Sequence, residues 1–467
     1  MNGRTQHRNR ILGICGRAAG ACALAVAILL ALTVIAVPSA QAQTFTTFDV
    51  LSAGTSAGQG TVTEDINTAG DVAGYYVDAN NAGHGFVRTA DGTITTFDAP
   101  DAAQGTIAYA NNAAGIVTGY YVDASYVNHG FVRASDGTIT EFDAPGAGTL
   151  AGQGQGTIPD GINVLGDVAG TYIDVNSVYH GFMRTSDGTM TTFDAPGAGT
   201  LPGQGTTGVG INEWDHIAGN FADMGNVNHG FVRRSDGEII DFDISGAGTD
   251  IFQGTIGWDI NSSGVTTGWY IDASGVNHGF VRTGDGVVTT FDAPGSAGGH
   301  GTVAYAINVA GDVVGVYRDA NNVRHGYVRV ADGRMTTFDA PGAGTGAGQG
   351  TVTGGINMEG DVGGSYIDAN RVWHGYVRTG VVTPSGIIDA VTQLFSSGAI
   401  SSPDVATGLL NKLNAALASR NSGMCGPAGN VYAAFINQVQ AQTGKAITAA
   451  TAATLIADAH YLEANCP

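Results

Sequence analysis

Lysine is nearly missing from this chain of 467 residues. Lys412 and Lys445 are the two instances, and the other 17 basic residues are arginine. With no lysine before residue 412, the glycine-rich stretches hold no G-x-x-x-x-G-K-[ST] loop, so their glycines serve turns and not phosphate binding. An H-E-x-x-H zinc helix is missing as well. Charge of either sign is scarce, at 13% of residues, and it is lopsided: 40 acidic against 19 basic residues leave a net charge of −21. Such a chain repels phosphate backbones and anionic lipid, which excludes nucleic acid and membrane surfaces as partners. Hydrophobic residues make up 43%, too many for a disordered chain. Glycine is what abounds, with 74 residues, about twice its usual share.

The first residues read as an export signal. Arg4, Arg8, Arg10 and Arg17 precede an apolar run from about Ala18 to Val37, followed by Pro38-Ser39-Ala40-Gln41-Ala42. Ala40 and Ala42 form an A-x-A cleavage pattern, so residues 1–42 are expected to be a signal peptide and Gln43 the mature N-terminus. The rival reading is an uncleaved membrane anchor, since the run approaches the ~20 residues that span a bilayer. Cleavage removes Cys15 and Cys22 and leaves Cys425 and Cys466. The expected location is secreted or cell-surface, where a disulfide persists.

Internal repetition decides the fold class. His-Gly recurs at His84, His129, His180, His229, His278, His325 and His374, at intervals of 45 to 51 residues. Phe-Asp recurs in step at Phe48, Phe97, Phe142, Phe193, Phe242, Phe291 and Phe338. Each unit holds four strand-like runs, in the first repeat Thr61–Asn67, Val72–Asp78, His84–Arg88 and Thr93–Asp98. Asp91-Gly92 between the last two is a strong hairpin signal, and a two-residue turn there would set Phe86 opposite Phe97. Four antiparallel strands per repeat predict an all-β seven-bladed β-propeller over residues 43–382. The chain opens with a lone fourth strand, Thr44–Asp49, while the last repeat stops after three strands at Arg378. The N-terminal strand is therefore expected to close blade seven, hiding strand edges that would otherwise pair between molecules. An open solenoid of hairpins is the alternative.

Residues 383–467 form a separate C-terminal α-helical domain in this reading. Ile387–Phe395 has helical spacing, and Ser402-Pro403-Asp404 supplies a cap, a first-turn proline and an acidic residue for a helix to about Ser419. Further helices are expected over Val431–Thr443, stopping at Gly444, and about Ala449–Ala464. If these two are antiparallel, Cys425 and Cys466 flank neighbouring ends and can pair; two free thiols are the alternative. The disulfide would stabilise the bundle by about 4 kcal/mol in the chain-entropy account.

The repeat resembles the bacterial extracellular family named for His-Ala-Phe. Gly161-Ile162-Asn163, Gly166 and Gly170 match the front of its motif and His180-Gly181-Phe182 the rear, with Gly in place of Ala in all seven repeats. The tail is similar to the small FIMAH-type helical domain, through Phe435-Ile436-Asn437-Gln438-Val439, Gly444-Lys445, Ile447 and Leu455-Ile456. The resemblance implies a secreted or surface bacterial protein and no established enzyme activity.

A His, Arg or Asp present in every repeat does one packing job in every repeat. His84 and its six counterparts are read as structural, bonded to backbone or carboxylate, with the arginines paired to Asp or stacked on rings. No metal site is assigned to them. Asp78-Ala79-Asn80 and its counterparts put oxygens on turns, so calcium is kept as an alternative to simple turn capping, and no other cofactor is implied. The positions that break the symmetry carry the information. Gln-Gly-Thr opens six repeats, but His300 replaces the Gln once. Three residues after the Thr stand Glu64, Tyr109, Asp160, Val209, Trp258, Tyr305 and Gly354, and the next position carries Asp65 and Asp259. Glu64, Tyr109, Asp160, Trp258, Asp259, His300 and Tyr305 are therefore the candidate ligand site, at the mouth of a central channel. Ordinary packing between blades is the alternative. The function expected is a non-enzymatic scaffold that binds a glycan, peptide or cell-envelope component. A carbohydrate-active lyase or hydrolase using Glu64, Asp160 or Asp259, and a purely structural surface repeat, are the other readings.

Overall fold

The computed structural model describes residues 44–297, 300–379, 387–388, 391–392, 394–395, 400–447 and 449–464. Residues 1–42, expected to be a signal peptide, and Cys466 lie outside the described residues. The chain is mostly β: 28 strands form a near-closed, propeller-like sheet system, with helices at the C-terminal end. In the first repeat, strand Gly60–Ile66 pairs with Val72–Val77, that with Gly83–Arg88, and that with Ile94–Phe97, all antiparallel. Later repeats keep this order, as in Gly105–Asn111, Val117–Val122, Asn128–Arg133 and Ile139–Phe142. A short parallel contact, such as Gly83 with Gly105, joins the third strand of one repeat to the first of the next.

One register differs from the sequence expectation. Phe97 stands opposite Gly85, not Phe86, and Phe86 faces Thr96. The turn is one residue longer than two. Thr89 N–H donates to Thr93 O at 2.9 Å, and Gly92, at φ 93°, closes the loop over Ala90-Asp91-Gly92. The shift gives the middle residue of His-Gly-Phe its reason. The Phe97 ring lies over Gly85, where a Cβ would come within 2.6 Å of Cζ. Freed from Phe86, the Phe97 ring meets Phe131 of the next repeat edge-on at 5.9 Å, and the Arg133 guanidinium sits 4.9 Å from its centroid. Edge-to-face rings and guanidinium-over-ring contacts each add about 0.5–1.5 kcal/mol beyond burial.

The two ends of the strand array meet by the same contact. Thr44–Phe48 pairs antiparallel with Trp373–Thr379, placing Phe48 on Gly375. The Phe48 ring meets Phe86 at 6.0 Å, with Arg88 4.9 Å from its centroid. Trp373 N–H donates to Gln59 O at 2.9 Å, and Thr63 N–H to Ser365 Oγ at 2.7 Å. Inside the round, the asparagine that ends each first strand links repeats. Asn67 Nδ2 donates to Asn112 O at 2.9 Å, and the chain of donations continues through Asn163, Asn212, Asn261 and Asn308 to Asn357. The same side chain caps its own turn: Asn67 Oδ1 accepts from Ala69 and Asp71 N–H. These asparagines are buried, so each satisfied group avoids a desolvation cost of about 1–3 kcal/mol.

Three C-terminal helices are α1 (Pro403–Asn421), α2 (Cys425–Gln442) and α3 (Ala449–Ala464). Residues 387–388, 391–392 and 394–395 are helical too. Ser402 caps α1, its side chain accepting from Val405 N–H at 3.4 Å. Helix α2 begins six residues before the expected Val431. Pro427 falls in its first turn, where the missing N–H has no helical partner to lose, so the Gly-Pro-Ala-Gly stretch starts the helix instead of breaking it. Leu409, Leu413, Tyr432, Phe435, Val439, Leu455 and Leu462 share one buried core. Among the described residues no helix is long and apolar enough to cross a membrane.

The closure can be tested at Gly375. A Cβ there would lie 2.6 Å from Phe48 Cζ. Gly375→Ala is expected to lower unfolding stability in urea by roughly 1–3 kcal/mol, as overpacking does, and adding Phe48→Leu should recover part of that loss. An unchanged midpoint for Gly375→Ala would mean that the N-terminal strand does not close the array in solution.

Candidate functional site

Each first strand carries a β-bulge, and the bulge aims the candidate residues. In strand Gly60–Ile66, Thr63 pairs with Gly74 and Asp65 with Ala73, leaving Glu64 as the extra residue. The same shift singles out Tyr109, Asp160, Trp258 and Tyr305 in their strands. Val209-Gly210 and Gly354-Gly355 occupy the wider irregularities of the other two. A bulge bends its strand and turns a side chain off the regular alternation. Here it turns these side chains inward, onto a cavity of about 480 Å³ lined by Glu64, Asp65, Tyr109, Asp160, Val209, Trp258, Asp259, Tyr305 and Gly354. A second cavity of about 230 Å³ is lined by the asparagines from Asn67 to Asn357, and Ile162 and Ile211 line both. The candidate site therefore lies within the channel, two to three residues from the asparagine ring along each strand, and not at the end where the strands begin.

His300 is not part of it. It is exposed in the turn before strand Thr302–Ile307 and does not line the cavity. The Gln it replaces acts locally, as Gln59 illustrates. Its Oε1 accepts from Ser56 N–H at 3.0 Å and its Nε2 donates to Asn81 Oδ1 at 2.9 Å, bracketing two loops. Gly54-Thr55-Ser56-Ala57-Gly58 has the lettering of a nucleophile elbow. It lies in a loop that leads into strand Gly60–Ile66, with no helix following, so it lacks the strand-turn-helix setting.

The carboxyl groups divide into two kinds. Asp65 accepts from its neighbour Ile66 N–H at 2.8 Å and from Asn111 N–H of the next repeat at 3.1 Å. Asp259 repeats this with Ile260 at 2.8 Å and Ile307 at 2.9 Å. Both bridge adjacent repeats. Burial raises Asp65 to about 7 and Asp259 to about 6, with those N–H donors pulling the other way. Glu64 and Asp160 have no hydrogen-bond or ion-pair partner among the described residues. Burial pushes Glu64 up to about 8, helped by the nearby Asp65 charge, and burial alone pushes Asp160 up to about 8.

Aromatic rings complete the wall. Trp258 lies 5.2 Å from Trp269 and 6.0 Å from Tyr305, and Tyr109 lies 5.5 Å from Tyr120. Trp269, Tyr120 and Tyr75 come from second strands, on the residue after the glycine that faces the bulge. Sequence reasoning passed over them. The signal was there, since this position reads Tyr75, Tyr120, Thr171, Asn220, Trp269, Val316 and Ser365 across the repeats, as variable as the bulge itself.

The repeated histidines lie elsewhere. The Asp98 carboxylate accepts from His84 Nδ1 at 2.9 Å, Asp78 Oδ2 stands 3.8 Å from Nε2, and the ring stacks on Tyr76 at 4.9 Å. All seven histidines repeat this setting, with Phe221 as the ring partner of His229, and His374 takes Asp49 from the N-terminal strand. On the neighbouring turn, Asp78 Oδ1 accepts from Asn80 and Ala82 N–H at 2.8 and 2.9 Å. Those bonds hold its pKa below the usual range, the Ala82 contact foremost. Among the described residues, no group of three or more His, Cys, Asp or Glu side chains could hold a metal ion.

Residues 384–464 match the FIMAH domain. No curated protein matches the chain. Among solved structures, a streptogramin B lyase is similar at 15% identity, over 72% of this chain and 98% of its own, with a TM-score of 0.45. A Burkholderia pseudomallei lectin is similar at 10% identity, over 67% of this chain and 96% of its own, with a TM-score of 0.39. An Aleuria aurantia lectin shares 11% identity over 63% of this chain and 96% of its own, with a TM-score of 0.37.

The buried acids set a direction for stability against pH. Glu64 and Asp160 keep protons up to about 8 when folded, whereas their ordinary values are 4.5 and 3.8. Between those limits the folded state binds more protons than the unfolded chain, so stability falls as pH rises. Carboxylates with lowered values, such as Asp187 at about 2, act only at more acidic pH. The melting temperature is expected to drop from about pH 5.5 to 8.5, and Glu64→Gln with Asp160→Asn should flatten that slope. An identical slope in the double variant would contradict the assignment.

Proposed function

We propose that this cavity is a binding site for one sugar unit of a glycan, and that the protein is a secreted, non-enzymatic binding scaffold. The observation that carries this reading is the bulge: in every repeat it delivers the symmetry-breaking residue to one shared cavity. A volume of about 480 Å³ falls in the usual range for small-ligand sites. The rings of Tyr109, Trp258 and Tyr305 offer apolar faces, and Glu64 and Asp160 offer polar groups, the pairing that a sugar's two kinds of surface require.

In this reading the four-stranded sheets are the blades of a seven-bladed propeller, a His-Gly-Phe branch of the His-Ala-Phe repeat proteins. Residues 1–42 would direct export. The helical domain over 383–467 would contact a partner or cell-envelope component, including a peptide. We also propose that Cys425 pairs with Cys466. Arg420 Nη1 donates to Leu462 O at 2.8 Å, and a Cβ on Gly429 would lie 3.8 Å from Glu463 Cγ, which brings the end of α3 alongside the start of α2.

A lyase or hydrolase is the second reading, favoured by one observation. Glu64 and Asp160 are held protonated at neutral pH, as a general acid must be, while Asp259 sits lower at about 6. Calcium on the Asp78-type turns has less support, because those carboxylates already cap backbone N–H groups.

A glycan array with the purified protein tests the binding reading. Trp258→Ala is expected to weaken any hit about tenfold, or ~1.4 kcal/mol; unchanged affinity would remove the channel site. Release of a cleaved sugar from the hit glycan, lost in Glu64→Gln, would instead establish the enzyme. Intact mass before and after reduction checks the disulfide: a gain of two hydrogens is expected, and no gain refutes the pairing.

A further inference from the structure

Building on the binding-site reading above, we propose that the sugar this cavity takes carries a free ammonium group, as an amino sugar does, and that Glu64 and Asp160 hold it. The contrast among the four acids carries the inference. Asp65 and Asp259 each have two backbone N–H donors. Glu64 and Asp160 stand on the same wall, turned inward by the same bulge, and have no donor or cation among the described residues. Both line the cavity and are partly exposed within it, so water or a ligand is the partner left to them. Acids that line a cavity with no protein partner are the groups a cationic ligand can pair with.

An ammonium group answers both. It brings three donors and one positive charge, whereas a sugar hydroxyl brings a single donor and no charge. Among the described residues, no lysine or arginine lines the cavity to compete for the acids. Tyr109 lies between the two acids in repeat order and feels both electrostatically. Trp258 and Tyr305 complete the setting, since indole and phenol faces attract cations as well as sugar rings.

Proton traffic follows from this arrangement. Burial disfavours the charge and keeps Glu64 and Asp160 protonated at neutral pH. A bound cation favours the ionised form, so binding expels a carboxyl proton to the solvent, and affinity rises with pH between about 6 and 8. The groups facing these acids are Asp65, Tyr75, Tyr109, Tyr120 and Tyr305. The tyrosines stay protonated throughout that range, their values raised by burial. Asp65, near 7, works in the same direction as the two acids. Arg318 and Arg324 act on Tyr305, and each already donates to an oxygen, of Asn322 and Gly348 respectively.

Isothermal titration of the purified protein decides the matter. The probes are glucosamine, N-acetylglucosamine and glucose at pH 7, with tetramethylammonium as a cation that does not titrate. Glucosamine is expected to bind at least tenfold more tightly than either neutral sugar. Tetramethylammonium should bind with release of a proton, read from the heat in buffers of different ionisation enthalpy, and more tightly at pH 8 than at pH 6. Glu64→Gln with Asp160→Asn should abolish the preference and the proton release, its fold checked by circular dichroism. Should that variant unfold, the wild-type sugar series decides alone. Equal affinity for all three sugars would overturn the ammonium site and leave the glycan reading standing. Tetramethylammonium binding with its pH trend, but no sugar binding, would keep the ammonium site and overturn the glycan reading. Binding of none of the probes would overturn the ammonium site, leaving the glycan array to judge the other reading.

Discussion

A phenyl ring laid over a glycine holds this molecule together. In each repeat the ring of the Phe-Asp motif covers the backbone of the His-Gly glycine, and its outer edge meets the aromatic, Phe or Tyr, and the arginine of the next repeat. Without a side chain at that glycine the ring lies flat on the sheet and projects far enough to reach across. The contact is local within one hairpin, yet it fixes the spacing between neighbours. The guanidinium above the ring fills the remaining space with its planar face and keeps the charge off the apolar floor. Repetition of one such contact explains how a sequence with little charge and few long apolar stretches assembles a series of hydrophobic clusters, one after another around the repeats.

The same interaction works at the junction between the ends of the array, where its two halves come from opposite ends of the strands. Phe48 arrives on the N-terminal strand and covers Gly375, more than 300 residues away, and then meets Phe86 and Arg88. His374 likewise finds its carboxylate in Asp49. The asparagine donations run around the inside of the round, one repeat to the next. The bulge residues take no part in these bonds, and their identity varies from repeat to repeat. A position that does not pair in the ladder can be Glu, Tyr, Asp or Trp without disturbing the strand hydrogen bonds. The exceptions support this: Asp65 and Asp259, one residue further on, each bridge two repeats through N–H groups, and each lies against a glycine of the preceding repeat, Gly355 and Gly210.

Much of the frame was legible because the chain states it repeatedly. The strand runs, the Asp-Gly turns and the lone N-terminal strand were visible as pattern. The register of Phe97 was not, because a turn of two residues and one of three are both consistent with Asp-Gly, and only the backbone hydrogen bonds of Thr89 and Thr93 separate them. The start of α2 was misplaced for a related reason. Gly426, Pro427 and Gly429 read as breakers when counted singly, whereas a first helical turn tolerates them. His300 stood out as a broken repeat, but departure from a repeat marks a site only where the side chain faces a shared space, and its loop faces outward.

From the sequence alone follow the repeat, its four strands, the acidic and lysine-poor character and the residues that depart from symmetry, because each is a property of local pattern or composition. Only the tertiary structure decided which departures meet. A bulge is an unpaired residue between two paired strands, so it exists only once the ladder has formed, and no spacing along the chain encodes its direction. The fate of each carboxyl was settled in the same way. Glu64 and Asp65 are neighbours in sequence, yet one faces the cavity with no donor among the described residues while the other receives two, because the second donor, Asn111 N–H, belongs to another repeat.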